Sequence, residues 1–181
     1  WWPLAASWLL MGVEMPLIAA LVGRLPDAEV HLAAFGGVVF PLALLVEAPI
    51  IMMLAASTSL CRDEPAYRRL NAFMWRSAIT LTVLHALIAF TPLFDFIATR
   101  LIGAPDETIE PARIGLRIMT FWTWAIADRR FHQGLLIRFG RQRAVGTGTL
   151  IRLVGTATPV VTGVIHPYAP AIVIAALAFA N

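Results

Sequence analysis

The sequence predicts an all-α, polytopic membrane bundle of about six transmembrane helices, and three observations carry that prediction. The chain of 181 residues is 59% hydrophobic and only 14% charged, with a mean hydropathy of +0.77. A soluble domain averages roughly 45–50% apolar and about 25% charged residues. Its apolar residues are gathered into long runs, and its arginines fall between those runs rather than along a stripe.

A membrane helix needs about 20 mostly apolar residues, and spans are placed at 2–24, 33–59, 72–98, 112–135, 145–165 and 169–181. The first holds the single acidic residue Glu14 and stops at the polar stretch RLPDAEVH. The second runs from the alanines after His31 to Ser59 and stops at CRDEPAYRR. The third ends before TRLIGAPDETIEP, whose proline and acidic residues mark a turn followed by a helix start. The fourth is crowded at its ends by Arg113, Arg117, Asp128, Arg129 and Arg130, and RFGRQR separates it from the fifth. HPY separates the fifth from the beginning of the sixth. The chain opens without Met and closes inside an apolar run, so a bundle cut from a longer protein is expected. The first run lacks the basic start and small-residue cleavage site of a signal peptide.

Orientation follows from arginine placement. Arg62, Arg68, Arg69 and Arg76 lie in or beside the second linker, and Arg129, Arg130, Arg138, Arg141 and Arg143 in or beside the fourth. The first linker has only Arg24, the third Arg100 and Arg113, and the fifth none. Linkers two and four are therefore expected on the cytoplasmic side, with the N-terminus inside. A bacterial inner membrane is the expected location.

At about 1.5 Å of rise per residue, Glu14, Glu47 and His85 each fall about half-way along their spans. An ionised side chain at that depth costs about 2.5–3.5 kcal/mol on insertion scales. No arginine sits at that depth on the first three helices, so the carboxyls are expected to be protonated, or to face water or protein. Each glutamate is followed two places later by a proline, Pro16 and Pro49. A proline withdraws one helical hydrogen bond, freeing the carbonyls of Gly12 and Leu45. Such backbone is tolerated in a membrane only where protein or water covers it. Glu14, Glu47, Pro16, Pro49 and His85 are therefore the candidate ion-coupling and cavity residues. Glutamates that pack as protonated hydrogen-bond donors, and a structural histidine, are the alternatives.

Asp128 and Arg152 lie at similar depth near the cytoplasmic ends of adjacent spans. They are read as an ion pair, or as a basic spot for an anion in which Arg117 assists Arg152. Asp95 is expected near the outer end of the third helix beside Arg100, and Trp122 and Trp124 deep enough to line a cavity. Ser57, Thr58 and Ser59 are expected to bond within their own helix, and Asp106 and Glu107 to begin one.

Cys61 is the lone cysteine, and the four histidines are scattered, so the sequence offers no cysteine metal site, no disulfide and no metal ligand set. Phosphate-loop, nucleophile-elbow and zinc-protease motifs are missing from the sequence, and an enzyme is not expected. Neither is a cofactor beyond a coupling H⁺ or Na⁺, nor a nucleic-acid partner.

LAAFGGVVFPLALL (32–45) resembles the start of the second helix in the multidrug and toxin extrusion family. RFHQGLLIRFGRQRAVGTGTLIRL (130–153) resembles the connection between the fourth and fifth helices of that broad superfamily, which also contains oligosaccharide-lipid flippases. TVLHALIAFTPLFDFIATRL (82–101) with GLLIRFGRQRAVG (134–146) is most similar to the progressive ankylosis branch. The resemblance implies one lobe of a two-lobe secondary transporter that works by alternating access, with its substrate held between this bundle and a C-terminal lobe. It implies export of organic compounds in exchange for protons or sodium, or, in the ankylosis branch, export of small anions such as pyrophosphate, nucleotides or citrate. A lipid-linked precursor flippase and a non-transporting membrane scaffold are the remaining alternatives. The expected partners are the lipid bilayer, a small-molecule substrate and the second lobe.

Overall fold

A computed structural model describes residues 26–165 and scattered positions before them, with the side chains of 159, 160 and 162–165 left aside. Glu14, most of the first predicted span and the whole of 169–181 lie outside the described residues. Every element among the described residues is helical.

The second apolar run is one rod from Ala28 to Leu60 with two irregularities. Helix α1 (Ala28–Ala34) passes through a π-helical turn at Phe35–Val39 into α2 (Phe40–Ile51), and α3 (Met53–Leu60) follows after Met52. On α2 the buried positions are Leu42, Ala43, Val46, Glu47 and Ile50. That spacing is one helical face, and the glutamate belongs to it. Pro49 and Leu45 lie on the exposed face. The carbonyl freed by this proline therefore opens away from Glu47, which corrects the expectation that the two form one polar spot. Pro16 is helical and exposed.

Helix α4 (Glu64–Phe90) begins well before the predicted 72, because its N-terminus is built from the linker itself. Asp63 is the N-cap, its Oδ1 accepting from the Ala66 amide at 2.8 Å. Pro65 occupies the first turn, where no amide is needed. The Arg68–Glu64 pair one turn on is exposed on both sides and adds little. Asp63→Ala is expected to remove about 1 kcal/mol of stability, seen as a lower thermal midpoint of the purified protein.

The rod α1–α3 and helix α4 are long and apolar enough to cross a membrane, by length and composition. The third predicted span, 72–98, is not one helix. It breaks at Thr91–Pro92, where the residue before proline leaves the helical region (φ −116°, ψ 169°). Helix α5 (Leu93–Phe96) and a π-helical turn at Ile97–Ile102 then run to Gly103. Gly103, at φ 70°, ends the segment in the left-handed conformation that glycine adopts freely. Most of the predicted polar linker is thus helical.

The fourth predicted span is also divided. Helix α6 (Asp106–Ile118) carries Asp106 and Glu107 in its first turn, and α7 (Thr120–Arg138) follows after Met119. Gly140 (φ 71°) turns the chain into α8 (Gln142–Ile165). Helix α7 is the central element, packing on α2, α3, α4 and α8. Its inward stripe is Thr120, Thr123, Ile126, Ala127, Phe131 and Gly134.

Arginines close both ends. Arg138 donates to the Thr58 carbonyl at 2.7 Å, satisfying the C-terminus of α3. The connections 61–63 and 139–141 meet at that same end around a cavity of about 640 Å³, so the two arginine-rich linkers share one face of the bundle. Burial pushes the Cys61 thiol there above its ordinary range, with the charge of Arg138 opposing the shift. At the far end Arg113 takes Asp95 and Glu110 together and lies over the Phe94 ring. Asp95 pairs with Arg113, on the helix that follows: the break at Thr91 turns α5 toward α6. Arg117 donates to the Ala89 carbonyl at 3.2 Å, finishing α4.

Candidate functional site

A polar chain lies inside the bundle where α2, α4, α6 and α7 meet. Glu47 on α2 and His85 on α4 are both fully buried, and Thr123 on α7 stands between them, equally buried. Thr123 Oγ1 lies 3.1 Å from Glu47 Oε1 and 2.9 Å from His85 Nδ1. His85 Nε2 lies 3.0 Å from the carbonyl oxygen of Leu116. A carbonyl only accepts, so Nε2 carries a proton and donates.

The interruption at Met119 makes this arrangement. Leu116 lies in the last turn of α6, where carbonyls run out of intrahelical amides. His85 takes one of them across the helix contact, while Thr120 Oγ1 approaches the same oxygen from 3.4 Å. Thr123 lies in the first turn of α7, just past the break. A continuous helix here would spend the Leu116 carbonyl on its own backbone.

Glu47 Oε2 has no hydrogen-bond partner among the described residues and is buried. A buried oxygen in that condition costs about 1–3 kcal/mol, more if it carries charge. The charge of Arg129, further along α7, acts on Glu47. Leu42, Ala43, Val46 and Ile50 share the buried face of α2 with Glu47.

The structure therefore brings Glu47 and His85 of the predicted set into one network. It leaves Pro49 outside that network, and Glu14 outside the described residues. Thr123 and Leu116 were not anticipated. A threonine in a helix ordinarily bonds back to its own backbone, so its residue type carried no signal. The signal available was its place on the inward stripe of α7.

Asp128 and Arg152, read as a pair from their depth, each have other neighbours among the described residues. Asp128 takes His132, one turn on along the same helix, at 3.3 Å. Arg152 instead lines a cavity of about 460 Å³ between α7 and α8 with Arg129, His132, Gln133 and Thr149. Arg152 is close enough to Arg130 to act on it electrostatically, and the side-chain amide oxygen of Gln133 is buried without a partner among the described residues. Arg117 is spent at the opposite end on Ala89 and the Phe90 ring, so it does not assist Arg152. Trp122 is buried in the core. Trp124 is exposed, and its ring packs at a tilt against Trp75 with centroids 5.8 Å apart. Ser57, Thr58 and Ser59 bond to carbonyls of their own helix.

The described residues contain no group of histidine, cysteine and carboxylate side chains that could hold a metal ion. The chain matches no family model, no curated protein and no solved structure.

Proposed function

We propose that this chain is a lobe of an ion-coupled efflux transporter of the multidrug and toxin extrusion type, working by alternating access in a bacterial inner membrane. The observation that carries the reading is the buried chain Glu47–Thr123–His85. An ionisable pair inside an apolar bundle is retained where its protonation is used, and here it ties three helices together. The proposed bundle has six spans with the arginine-rich linkers on the cytoplasmic side; the meeting of those linkers at one end supports that orientation. A change of occupancy at Glu47 alters the α2–α7 contact, and that contact is an element through which a bound ion biases one arrangement of the helices over another.

The cavity lined by Arg129 and Arg152 favours a second reading within the same class, export of a small organic anion. Its basic lining suits a carboxylate or phosphate group. A scaffold gains nothing from a buried ionisable pair, and a lipid-linked precursor flippase calls for a wider arginine-lined groove than this.

The test is flux in liposomes reconstituted with the full-length gene product. Fluorescent organic cations, pyrophosphate and citrate are each offered against an imposed H⁺ or Na⁺ gradient. Gradient-dependent movement of one class above protein-free liposomes is expected. Absence of gradient-dependent flux for every class overturns the reading.

A further inference from the structure

We propose that Glu47, Thr123 and His85 act as one proton-holding unit, in which the Thr123 hydroxyl passes a proton between the carboxyl and the imidazole. This rests on the transporter reading only for its use as the coupling site; the relay itself stands on geometry. It identifies the coupling ion as H⁺.

The supply of donor protons limits how the three groups can be arranged. His85 Nε2–H is committed to the Leu116 carbonyl. Thr123 has one proton to give, and it faces two groups, Glu47 Oε1 and His85 Nδ1. Two arrangements satisfy both contacts. In the first, the Glu47 carboxylic acid donates to Thr123 Oγ1, and Thr123 donates to the bare Nδ1 of a neutral imidazole. In the second, a protonated imidazole donates from Nδ1 to Thr123 Oγ1, and Thr123 donates to the Glu47 carboxylate. Both hold the same number of protons, and both are neutral overall. They interconvert when the carboxyl proton moves to Oγ1 as the hydroxyl proton moves to Nδ1. No heavy atom need change place.

Removing one proton breaks the pattern. With a carboxylate and a neutral imidazole, the single Thr123 proton cannot reach both acceptors, and a charge is left in a buried site. Adding one proton fails in turn: if the carboxyl donates from Oε1, the hydroxyl proton has no acceptor in the chain, and if its proton sits on Oε2, that proton has none among the described residues; either way a positive charge is left in a buried site. The closed bundle thus admits one protonation count. Gain or loss of a proton requires the contact between α2 and α7 to open, which is the property a coupling site needs. The charged groups acting from the surrounding elements are few. Arg129 on α7 is the one whose charge acts on Glu47, α2 and α4 contribute Glu47 and His85 themselves, and α6 contributes the neutral Leu116 carbonyl. Among the described residues Na⁺ finds too few oxygens here, since the unit offers one carboxylate and one hydroxyl, and the imidazole nitrogen beside them is hydrogen-bonded to that hydroxyl.

The experiment reads the histidine directly. Nitrogen NMR of ¹⁵N-histidine-labelled, purified full-length protein separates neutral from protonated imidazole, and the His85 signals are those lost in His85→Gln. In the wild type the Nδ1 signal is expected to show partial protonation, unchanged across the pH range in which a free histidine titrates. Glu47→Gln reproduces only the first arrangement, because the amide donates to Oγ1, so Nδ1 is expected to become fully unprotonated. Thr123→Val, close to isosteric, is expected to abolish the Nδ1 hydrogen-bond shift and free His85 to titrate alone; Thr123→Ser is expected to restore the wild-type signal. Identical His85 signals in wild type, Glu47→Gln and Thr123→Val overturn the relay, whether or not transport is seen. If the signals behave as expected but a Na⁺ gradient, and not an H⁺ gradient, drives flux, the identification of the ion is overturned while the relay stands.

Discussion

Glu47→Gln is expected to reduce gradient-driven efflux on the order of a hundredfold, near the upper range of coupling energies between linked sites, without unfolding the protein. Glutamine matches glutamate in shape, and its amide donates to Thr123 Oγ1 as the carboxylic acid does. The hydrogen bonds at Thr123 and His85 survive, so stability is expected to change by less than about 1 kcal/mol. What is lost is the ability to release a proton when the helices part. Glu47→Ala should behave differently, removing the partner of Thr123 and opening a void beside Val46 and Ile50. It is expected to lower stability by about 2–3 kcal/mol as well as activity. The two variants together separate coupling from packing. Full gradient-driven efflux in a well-folded Glu47→Gln protein would sink the coupling role, and a thermal midpoint as low as that of Glu47→Ala would show that the amide does not keep the hydrogen bonds of Thr123 and His85.

The depth of Glu47 was legible in the sequence, but its face was not. Residues 40–51 are apolar almost throughout, so no spacing marks which side of the helix turns inward, and Glu47 and Pro49 read as one polar spot although they lie on opposite faces. Mid-span depth likewise pointed to His85. The interruptions were less legible. Thr91–Pro92 carried a chemical signal, since a residue before proline is driven out of the helical region, and an apolar run masked it. Met119 carried none: neither proline nor glycine adjoins it, and the break between α6 and α7 reflects tertiary contacts such as the His85–Leu116 bond. That is why Thr123, whose position depends on the break, was invisible in sequence. The contact of Asp128 with His132 was hidden for a related reason. Depth along two spans says nothing of which side of each helix a residue occupies, and Asp128 found His132 within its own helix.

Gly134→Ala is expected to destabilise the bundle by about 3 kcal/mol, the upper end for overpacking a tight core. A Cβ at this position would lie 1.8 Å from Ser57 Oγ, 2.5 Å from the Leu54 carbonyl oxygen and 3.0 Å from Thr58 Oγ1. The helices α3 and α7 therefore touch backbone to backbone, the close approach that small residues permit between membrane helices. Thr58 Oγ1 also reaches the Gly134 carbonyl at 3.3 Å. These obstacles differ in kind. The Ser57 hydroxyl can rotate or be removed, whereas the Leu54 oxygen is fixed by its helix. The double variant Ser57→Ala/Gly134→Ala is accordingly expected to recover only part of the loss, with the remainder held by the backbone. Complete recovery in the double variant would show that the backbones are not in contact. Because α7 also carries Thr123, pushing α3 and α7 apart shifts the element on which Glu47 and His85 converge. Gly134→Ala is therefore expected to weaken gradient-driven efflux too, although it touches none of the three polar groups. Unchanged efflux in a measurably destabilised variant would show that the α3–α7 crossing and the polar chain are independent.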